Sequence, residues 1–555
     1  MNRPWLEQYP PGVPAEVDVH AYSSLRDILE LSCARFAALP AYGNMGHSIH
    51  YRDLDRLSAA FAAWLQQLGL RKGERIALML PNLLQYPVAL FGALRAGLVV
   101  VNVNPMYTPR ELEHQLVDSG AVAIVVLENF AHTLEAVIAR TSLKHVVTTA
   151  VGDLLPPVKR VLTNLVVRHV RRMVPPWQLP GATDFRAALR AGAERNPQPV
   201  PLGPDEVAFL QYTGGTTGVA KGTVLSHGNL VANLQQLSAW VARDLVDGKE
   251  TVVMPLPLYH VYSLIANLVF MKIGARIELI TNPRDLHAYI GAIRGLGFSA
   301  IVGVNTLYKA MLDAPGFERV DFSRLKLAVA GGMAVQRTVA ERWKRATGVP
   351  LVEGYGLTET SPVVTSNRLD ISDWTGSIGL PIPSTDVAIL GDDGAVLPGG
   401  EVGEIAIRGP QVMQGYWNRP DETAKVFTRD GWLLTGDMGT MDAHGYIRLT
   451  DRRKDIIVVS GFKVFPNEVE DVLALHPGVL EAAAIGVPDE RSGEAVRAVV
   501  VRRDPALSQD DVIAHCRTHL TGYKVPKTVE FRTEPLPKSP IGKVLRRLLR
   551  EPKAA

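Results

Sequence analysis

The run Tyr212-Thr213-Gly214-Gly215-Thr216-Thr217-Gly218-Val219-Ala220-Lys221-Gly222 follows the apolar stretch Val207–Leu210 and has the makings of a phosphate cradle. Its glycines let the backbone turn N–H groups outward, its threonines add hydroxyl donors, and Lys221 supplies a mobile positive charge. A Walker A loop requires Gly-Lys-Ser/Thr, whereas Lys221 stands between Ala220 and Gly222, so a P-loop NTPase is excluded and a flexible surface turn is the remaining competitor. Gly354-Tyr355-Gly356-Leu357-Thr358-Glu359 sets an aromatic between glycines, which suits a stacked adenine. It ends in a carboxylate suited to magnesium, a cation that takes hard oxygen ligands and needs only one or two from the protein. Alone, Glu359 reads as an ordinary helix-start carboxylate, and Tyr355 with the glycine-threonine loop is what turns the reading toward a metal. Asp437 in Leu434-Thr435-Gly436-Asp437 can accept from both hydroxyls of a ribose, and Arg452 has donors for the same sugar. An aspartate after glycine is also an ordinary turn residue, and an arginine in the cluster Asp451-Arg452-Arg453-Lys454-Asp455 an ordinary solvated cation. Lys543, in Ser539-Pro540-Ile541-Gly542-Lys543, can set an ammonium against negative charge that grows in a transition state, or be one more surface cation beside Arg546, Arg547 and Arg550.

These residues need rigid elements to hold them. Leu54, Leu57, Phe61, Leu65 and Leu68 recur at helical spacing and stop at Gly69, an amphipathic helix with a glycine end. Helical patterns then alternate with short apolar runs, Arg75–Leu80, Ala123–Leu127, Thr251–Met254, Arg276–Ile280, Ala300–Val304 and Leu325–Ala330, which predicts α/β layers with largely parallel sheets. Val88–Val103, broken by Arg95 and Asn102, is too short to span a bilayer and reads as a buried helix followed by a buried strand. From about Ile378, short strands separated by the turns Gly391–Gly394, Pro398–Gly400 and Asp442–Gly445 predict a compact β subdomain. Beyond the charged cluster a further unit carries a helix opening at Pro466 and another capped by Ser508, whose stripe Val512, Ile513, Cys516 and Leu520 places Cys516 in a core. The expected division is 1–451 and 452–555, with a large α/β body, a β subdomain and a small mobile α+β unit.

The 555 residues imply more than one core, and 59 lysines and arginines against 56 acids give no reason to expect a nucleic-acid binder. Two cysteines far apart, Cys33 and Cys516, exclude a cysteine zinc cluster or a disulfide framework and fit a reducing compartment. Met1–Asp18, with four prolines and three acids, lacks the apolar core of a signal peptide, so export is not expected and cytoplasm is the default. One segment stands apart: Val158–Val174 has five lysines and arginines, no acid, and Val158, Val161, Leu162, Leu165 and Val166 on helical spacing. It reads either as a helix lying in an anionic membrane interface or as a solvated helix packing one face on the domain.

YTGGTTGVAKG followed by TVLSHGNL resembles the phosphate loop of the acyl-adenylate-forming superfamily, which contains acyl-CoA synthetases, peptide-synthetase adenylation domains and beetle luciferases. GYGLTETSP from Gly354, DGWLLTGDMG from Asp430, DRRKDIIVVSGFKVFPNEVE from Asp451 and PKSPIGKVLRR from Pro537 follow in the order that family requires, and within it the set is most similar to bacterial long-chain fatty-acid–CoA ligases. The resemblance implies ATP-dependent adenylation of a fatty acid followed by thioester formation with coenzyme A. ATP and coenzyme A are then co-substrates, and Mg2+ is the metal. It assigns Thr213, Gly214, Gly215, Thr216, Thr217, Gly218 and Lys221 to the phosphates, Thr358 to the α-phosphate, and Glu359 with Thr216 to the metal. Gly332, Gly354, Tyr355 and Gly356 fall to the adenine side, Asp437 and Arg452 to the ribose, and Lys543 to catalysis. Lys454 matches the family's hinge, about which the small unit would withdraw Lys543 and present another face to coenzyme A. Pro257-Leu258-Tyr259-His260 matches a segment lining the acyl and thiol entrance, where His260 orients the carboxylate or gates the tunnel, or is a satisfied core histidine. Between Pro255 and Ser263 there is no acid of the kind amino-acid-activating relatives use to pair a substrate ammonium, which favours a substrate without an α-amine. Open alternatives are loading of a carrier protein, a medium-chain or aryl acid as substrate, and a catalytically dead binding protein. Peripheral contact with the cytoplasmic face of a membrane through the basic segment, and a homodimer, complete the expectations.

Overall fold

Leu54, Phe61 and Leu65 are fully buried on one face of the helix Tyr51–Gln67, which gives way at Gly69 to a left-handed residue, φ +79°. The computed structural model describes residues 3–213, 220–539 and 542–550. Within them the expected alternation holds. Arg75–Met79, Ala123–Leu127, Thr251–Met254, Arg276–Leu279 and Ala300–Gly303 are strands, and the run from Leu325 becomes a strand at Leu327–Ala330.

Two large sheets result. In the eight-stranded one, Arg75–Met79, Val99–Asn102, Ala123–Leu127, His145–Thr149 and Val207–Thr213 run parallel, and Lys221–Ser226 folds back antiparallel on Val207–Thr213. In the nine-stranded one, parallel strands from Thr251–Met254 to Leu351–Gly356 form the centre. One apolar core, reaching from Ile76, Leu78 and Val100 to Val252, Met254 and Ala300, fills the space between the sheets around the helices Tyr51–Gln67, Gln85–Arg95 and Val261–Lys272. The helix Gln85–Arg95 is buried on every side, and its one charge is met there: Arg95 donates to the backbone oxygen of Asp55 (3.0 Å) and pairs with the Asp55 carboxylate.

The β subdomain is a four-stranded antiparallel sheet of Asp386–Leu390, Gly403–Arg408, Leu433–Met441 and Ile447–Arg452. After the short turn Arg453–Asp455 a five-stranded sheet carries the helices Pro466–Leu475 and Gln509–His519 over a separate core of Ile457, Val469, Leu473, Val512 and Cys516. Pro466 occupies the first helical turn and the Ser508 hydroxyl accepts from Asp511 N–H, as their positions predicted. The fold is thus mixed α/β, with large N-terminal sheets and a smaller C-terminal unit. Both cysteines are buried, and burial pushes the Cys33 thiol up to about 12 and the Cys516 thiol up to about 11.

The basic segment forms a helix, Pro157–Leu165, continued by a wider turn, Val166–Val170. Its apolar stripe does not pack on the domain. Val158 is 74% exposed, Leu162 58% and Val170 65%, and Val161, Leu165 and Val166 are exposed as well. The helix instead docks through its polar side. Asn164 accepts from Gly152 N–H (2.7 Å) and donates to Asp153 (3.2 Å), Arg168 pairs with the buried Glu128, and Lys159 donates to the Met45 backbone. Among the described residues no helix is long and apolar enough to cross a membrane.

Candidate active site

Thr213 and Lys221 face each other as the last and first paired residues of the hairpin Val207–Thr213/Lys221–Ser226, so the sheet fixes both ends of the glycine-threonine loop. Gly214, Gly215, Thr216, Thr217 and Gly218 lie outside the described residues. Lys221 pairs with Glu422 and sits over the ring of Tyr416, 5.1 Å from its centroid. The Tyr416 hydroxyl donates to Glu359 Oε1 at 2.8 Å, so Lys221, Tyr416 and Glu359 form one chain of contacts. Two lysines, Lys221 first, hold the Glu422 carboxyl down at about 2.

Glu359 belongs to the one-turn helix Thr358–Thr360 and lines a cavity of about 350 Å³ with Tyr416, Leu434, Gly436 and Arg453. A carboxylate with one donor among the described residues, beside an open cavity, fits a hard cation that takes most of its ligands from phosphate and water. Among the described residues no three His, Cys, Asp or Glu side chains gather into a metal cluster, so such a cation would depend on its nucleotide.

A second group gathers around Asp437. The strand pairing sets Asp437 against Arg452, whose Nε lies 3.2 Å from Oδ1, and the Tyr355 hydroxyl donates to Oδ2 at 2.7 Å. Asp437 is 3% exposed. Burial, then the Asp437 charge and the hydrogen bond to it, push the Tyr355 phenol well above its usual value, so it remains a donor. Lys543 reaches this group from the far end of the chain. Burial drives its ammonium down to about 8, the Arg452 cation adds to that, and Asp437 opposes it. Gly542, at φ +84°, fits against Thr306, whose hydroxyl oxygen would lie 2.4 Å from any Cβ there. Lys309 Nζ also donates to the Leu480 backbone at 2.7 Å, a second contact between body and C-terminal unit.

The motif glycines divide. Gly332 is left-handed at the turn after Leu327–Ala330, and the neighbouring Gly331 approaches the Gly354 backbone, with 3.4 Å from a built Cβ to its carbonyl oxygen. Gly356 is glycine for an internal reason, because a Cβ there would lie 1.8 Å from the Pro362 carbonyl oxygen. His260 caps the helix Val261–Lys272: its Nδ1 accepts from Tyr262 N–H (3.2 Å), and burial drives the ring down to about 4, keeping it neutral. The contribution of Tyr416 was not anticipated, since an aromatic in the two-residue strand Gly415–Tyr416, 57 residues beyond Glu359, carries no local signal of that contact. Arg546, expected among surface cations, is 12% exposed at its side chain and pairs with Asp451, Asp455 and Glu470.

Residues 29–417 match the family model described as AMP-binding enzyme, and residues 468–543 match the AMP-binding enzyme C-terminal domain. A protein of Yersinia pestis named long-chain-fatty-acid–CoA ligase is 55% identical over 99% of this chain and 98% of its own. The crystal structure of the anthranilate CoA ligase AuaEII with anthranoyl-AMP superposes with a TM-score of 0.83 at 25% identity, covering 95% of this chain and 96% of that one. ATP-bound MatB from Rhodopseudomonas palustris gives 0.82 at 27% identity, over 95% and 98% of the two chains. Apo MatB gives 0.72 at 28% identity over the same shares, so the present arrangement is nearer the ATP-bound one.

Proposed function

The chain belongs to the AMP-binding enzyme family, and we propose on that premise that it ligates long-chain fatty acids to coenzyme A through an acyl-adenylate. The observation that carries the reading is the convergence of Asp437, Arg452 and Tyr355 with Lys543 folded onto them from the C-terminal unit.

In the first step a fatty carboxylate oxygen forms a bond to the α-phosphorus of ATP, the bond to the bridging oxygen breaks, and pyrophosphate leaves. Asp437 and Arg452 grip the ribose, Tyr355 stacks the adenine while its hydroxyl orders Asp437, and Lys543 stabilises the charge that grows on the transferred phosphate. Thr213, Lys221 and the loop between them hold the β- and γ-phosphates, so nucleotide binding would draw Lys221 off Glu422. Glu359, with Thr216, would hold Mg2+, which would supply neutralisation of phosphate charge, and Thr358 would meet the α-phosphate. In the second step the thiolate sulfur of coenzyme A bonds to the acyl carbon, the carbon–oxygen bond breaks, and AMP leaves. No protein nucleophile is required. The division at Asp451/Arg452 and rotation about Lys454 belong to this proposal: they take Lys543 out once the adenylate is made. His260 stands beside the acyl entrance as a rigid neutral wall fixed by its helix cap.

The exposed stripe Val158–Val170, ringed by Arg160, Arg171 and Arg172, is proposed to rest on an anionic membrane at its cytoplasmic face, where long-chain acids partition. Leu162→Glu with Leu165→Glu alters only exposed positions and is expected to abolish co-sedimentation with phosphatidylglycerol vesicles; unchanged co-sedimentation removes the membrane role. The ligase reading is tested by ATP–pyrophosphate exchange. Exchange dependent on palmitate supports it, exchange with benzoate alone transfers it to aryl acids, and no exchange with any carboxylate sinks it.

A further inference from the structure

We propose that Arg546 and Asp451 form a positioning latch that holds Lys543 in the adenylating arrangement and opens for thioester formation. The inference rests on the two-step reading above. Arg546 lies three residues beyond Lys543, on the same C-terminal stretch. Its guanidinium forks onto Glu470, Nε to Oε1 at 2.7 Å and Nη2 to Oε2 at 2.6 Å, and donates through Nη1 to Asp451 Oδ1 at 2.9 Å. Nη2 also meets the Asn467 side chain, and Asp455 lies 3.6 Å from Nη1.

These partners sit on opposite sides of the Arg453–Asp455 turn. Asp451 is the last residue but one of the strand Ile447–Arg452, next to the residue that pairs with Asp437. Asn467 and Glu470 are on the helix Pro466–Leu475, beyond the turn. A rotation about Lys454 carries Arg546, Asn467 and Glu470 together and leaves Asp451 behind. Such a rotation must break the contacts of the Asp451 carboxylate, Oδ1 to Arg546 and Oδ2, which accepts from Asn467 N–H at 2.6 Å in the first turn of the helix, together with two weaker bonds to backbone oxygens, Asn467 Nδ2 to Thr450 and Lys309 Nζ to Leu480. Asp451 is 1% exposed, and in this arrangement its charge is met by that arginine, that helix end and the Arg452 N–H, which donates to Oδ1 at 2.8 Å; only the last stays after release. The pairing is strong enough to select one arrangement, yet Arg546 keeps its Glu470 fork after release, so neither partner is stranded inside the C-terminal unit.

Two half-reactions separate the latch from a merely structural role. Asp451→Asn keeps the shape and an acceptor for Asn467 N–H but removes the charge facing Arg546. It is expected to slow palmitate-dependent ATP–pyrophosphate exchange by about tenfold, while the rate at which synthetic palmitoyl-adenylate and coenzyme A give palmitoyl-CoA stays within about twofold of wild type or rises. Arg546→Lys, which keeps the charge and loses the fork, is expected to act in the same direction more weakly and decides the matter should Asp451→Asn fail to fold. Equal losses in both half-reactions, or no loss in either, overturn the latch. Wild-type protein that shows neither half-reaction overturns the ligase reading instead.

Discussion

Raising the pH through about 8 removes the Lys543 proton in the free enzyme. Its ordinary value of 10.5 is brought to about 8 by burial and by the Arg452 cation, with Asp437 opposing. That displacement corresponds to a bias of about 3 kcal/mol against the ammonium before nucleotide arrives. At pH 7 the charged form still dominates by about ten to one, and at pH 9 the ratio is reversed. Because only the ammonium can stabilise charge on the transferred phosphate, kcat/KM for ATP in palmitate-dependent pyrophosphate exchange should fall about tenfold between pH 7 and pH 9, about fivefold of it above pH 8. The bound triphosphate adds negative charge beside the amine and raises its pKa, so kcat should hold to higher pH. Lys543→Arg should remove the alkaline limb, because a guanidinium keeps its proton throughout this range. Lys543→Ala should lower exchange by about 10²- to 10³-fold at pH 7, as expected for loss of a charge aimed at the transition state. The same limb with the same midpoint in Lys543→Arg, or no limb between pH 7 and pH 10 in the wild type, refutes the assignment.

Asp437→Asn removes the charge facing Arg452 and weakens the acceptor for Tyr355, and should raise KM for ATP by about 10- to 100-fold in the exchange assay with little change in KM for palmitate. Tyr416→Phe deletes the hydroxyl donated to Glu359 and should raise the Mg2+ concentration for half-maximal activity several-fold, about 1 kcal/mol, with an unchanged circular dichroism spectrum. Glu353, buried and accepting from Val335 N–H at 3.1 Å, is pushed up to about 8 by burial. The native state then keeps a proton that the unfolded chain loses near 4.5, so this residue's contribution is whole below pH 4.5 and is lost as pH rises through 8. Glu353→Gln should therefore raise Tm at pH 8.5 and leave it nearly unchanged at pH 4.5.

The layers were legible because parallel strands buried on both faces are written as continuous apolar runs, such as Ala123–Leu127 and Thr251–Met254. Helix ends were legible where one residue carries the signal, Gly69 at a left-handed stop and Ser508 at a cap. What lay beyond a linear reading were contacts closed by the fold. Arg546 looked like one cation of an exposed run, and only the arrival of Asp451 and Glu470, 95 and 76 residues earlier, makes it a buried ion-pair centre. Gly356 is glycine because Pro362 folds back on it, and His260 is neutral because its helix buries it. The basic segment was read correctly as an amphipathic helix, but sequence does not say which face a helix docks. Here the polar residues Asn164 and Arg168 have buried partners and the valines have none, so the apolar stripe is left outward.

The most direct test of the account is a single turnover with ATP labelled in the α-phosphate, palmitate and Mg2+, first without coenzyme A and then with it. The account predicts that label accumulates as enzyme-bound palmitoyl-adenylate with one pyrophosphate released, and that added coenzyme A converts it to AMP and palmitoyl-CoA at least as fast as steady-state turnover. Release of ADP, or palmitoyl-CoA formed while trapped palmitoyl-adenylate stays unreacted, contradicts it.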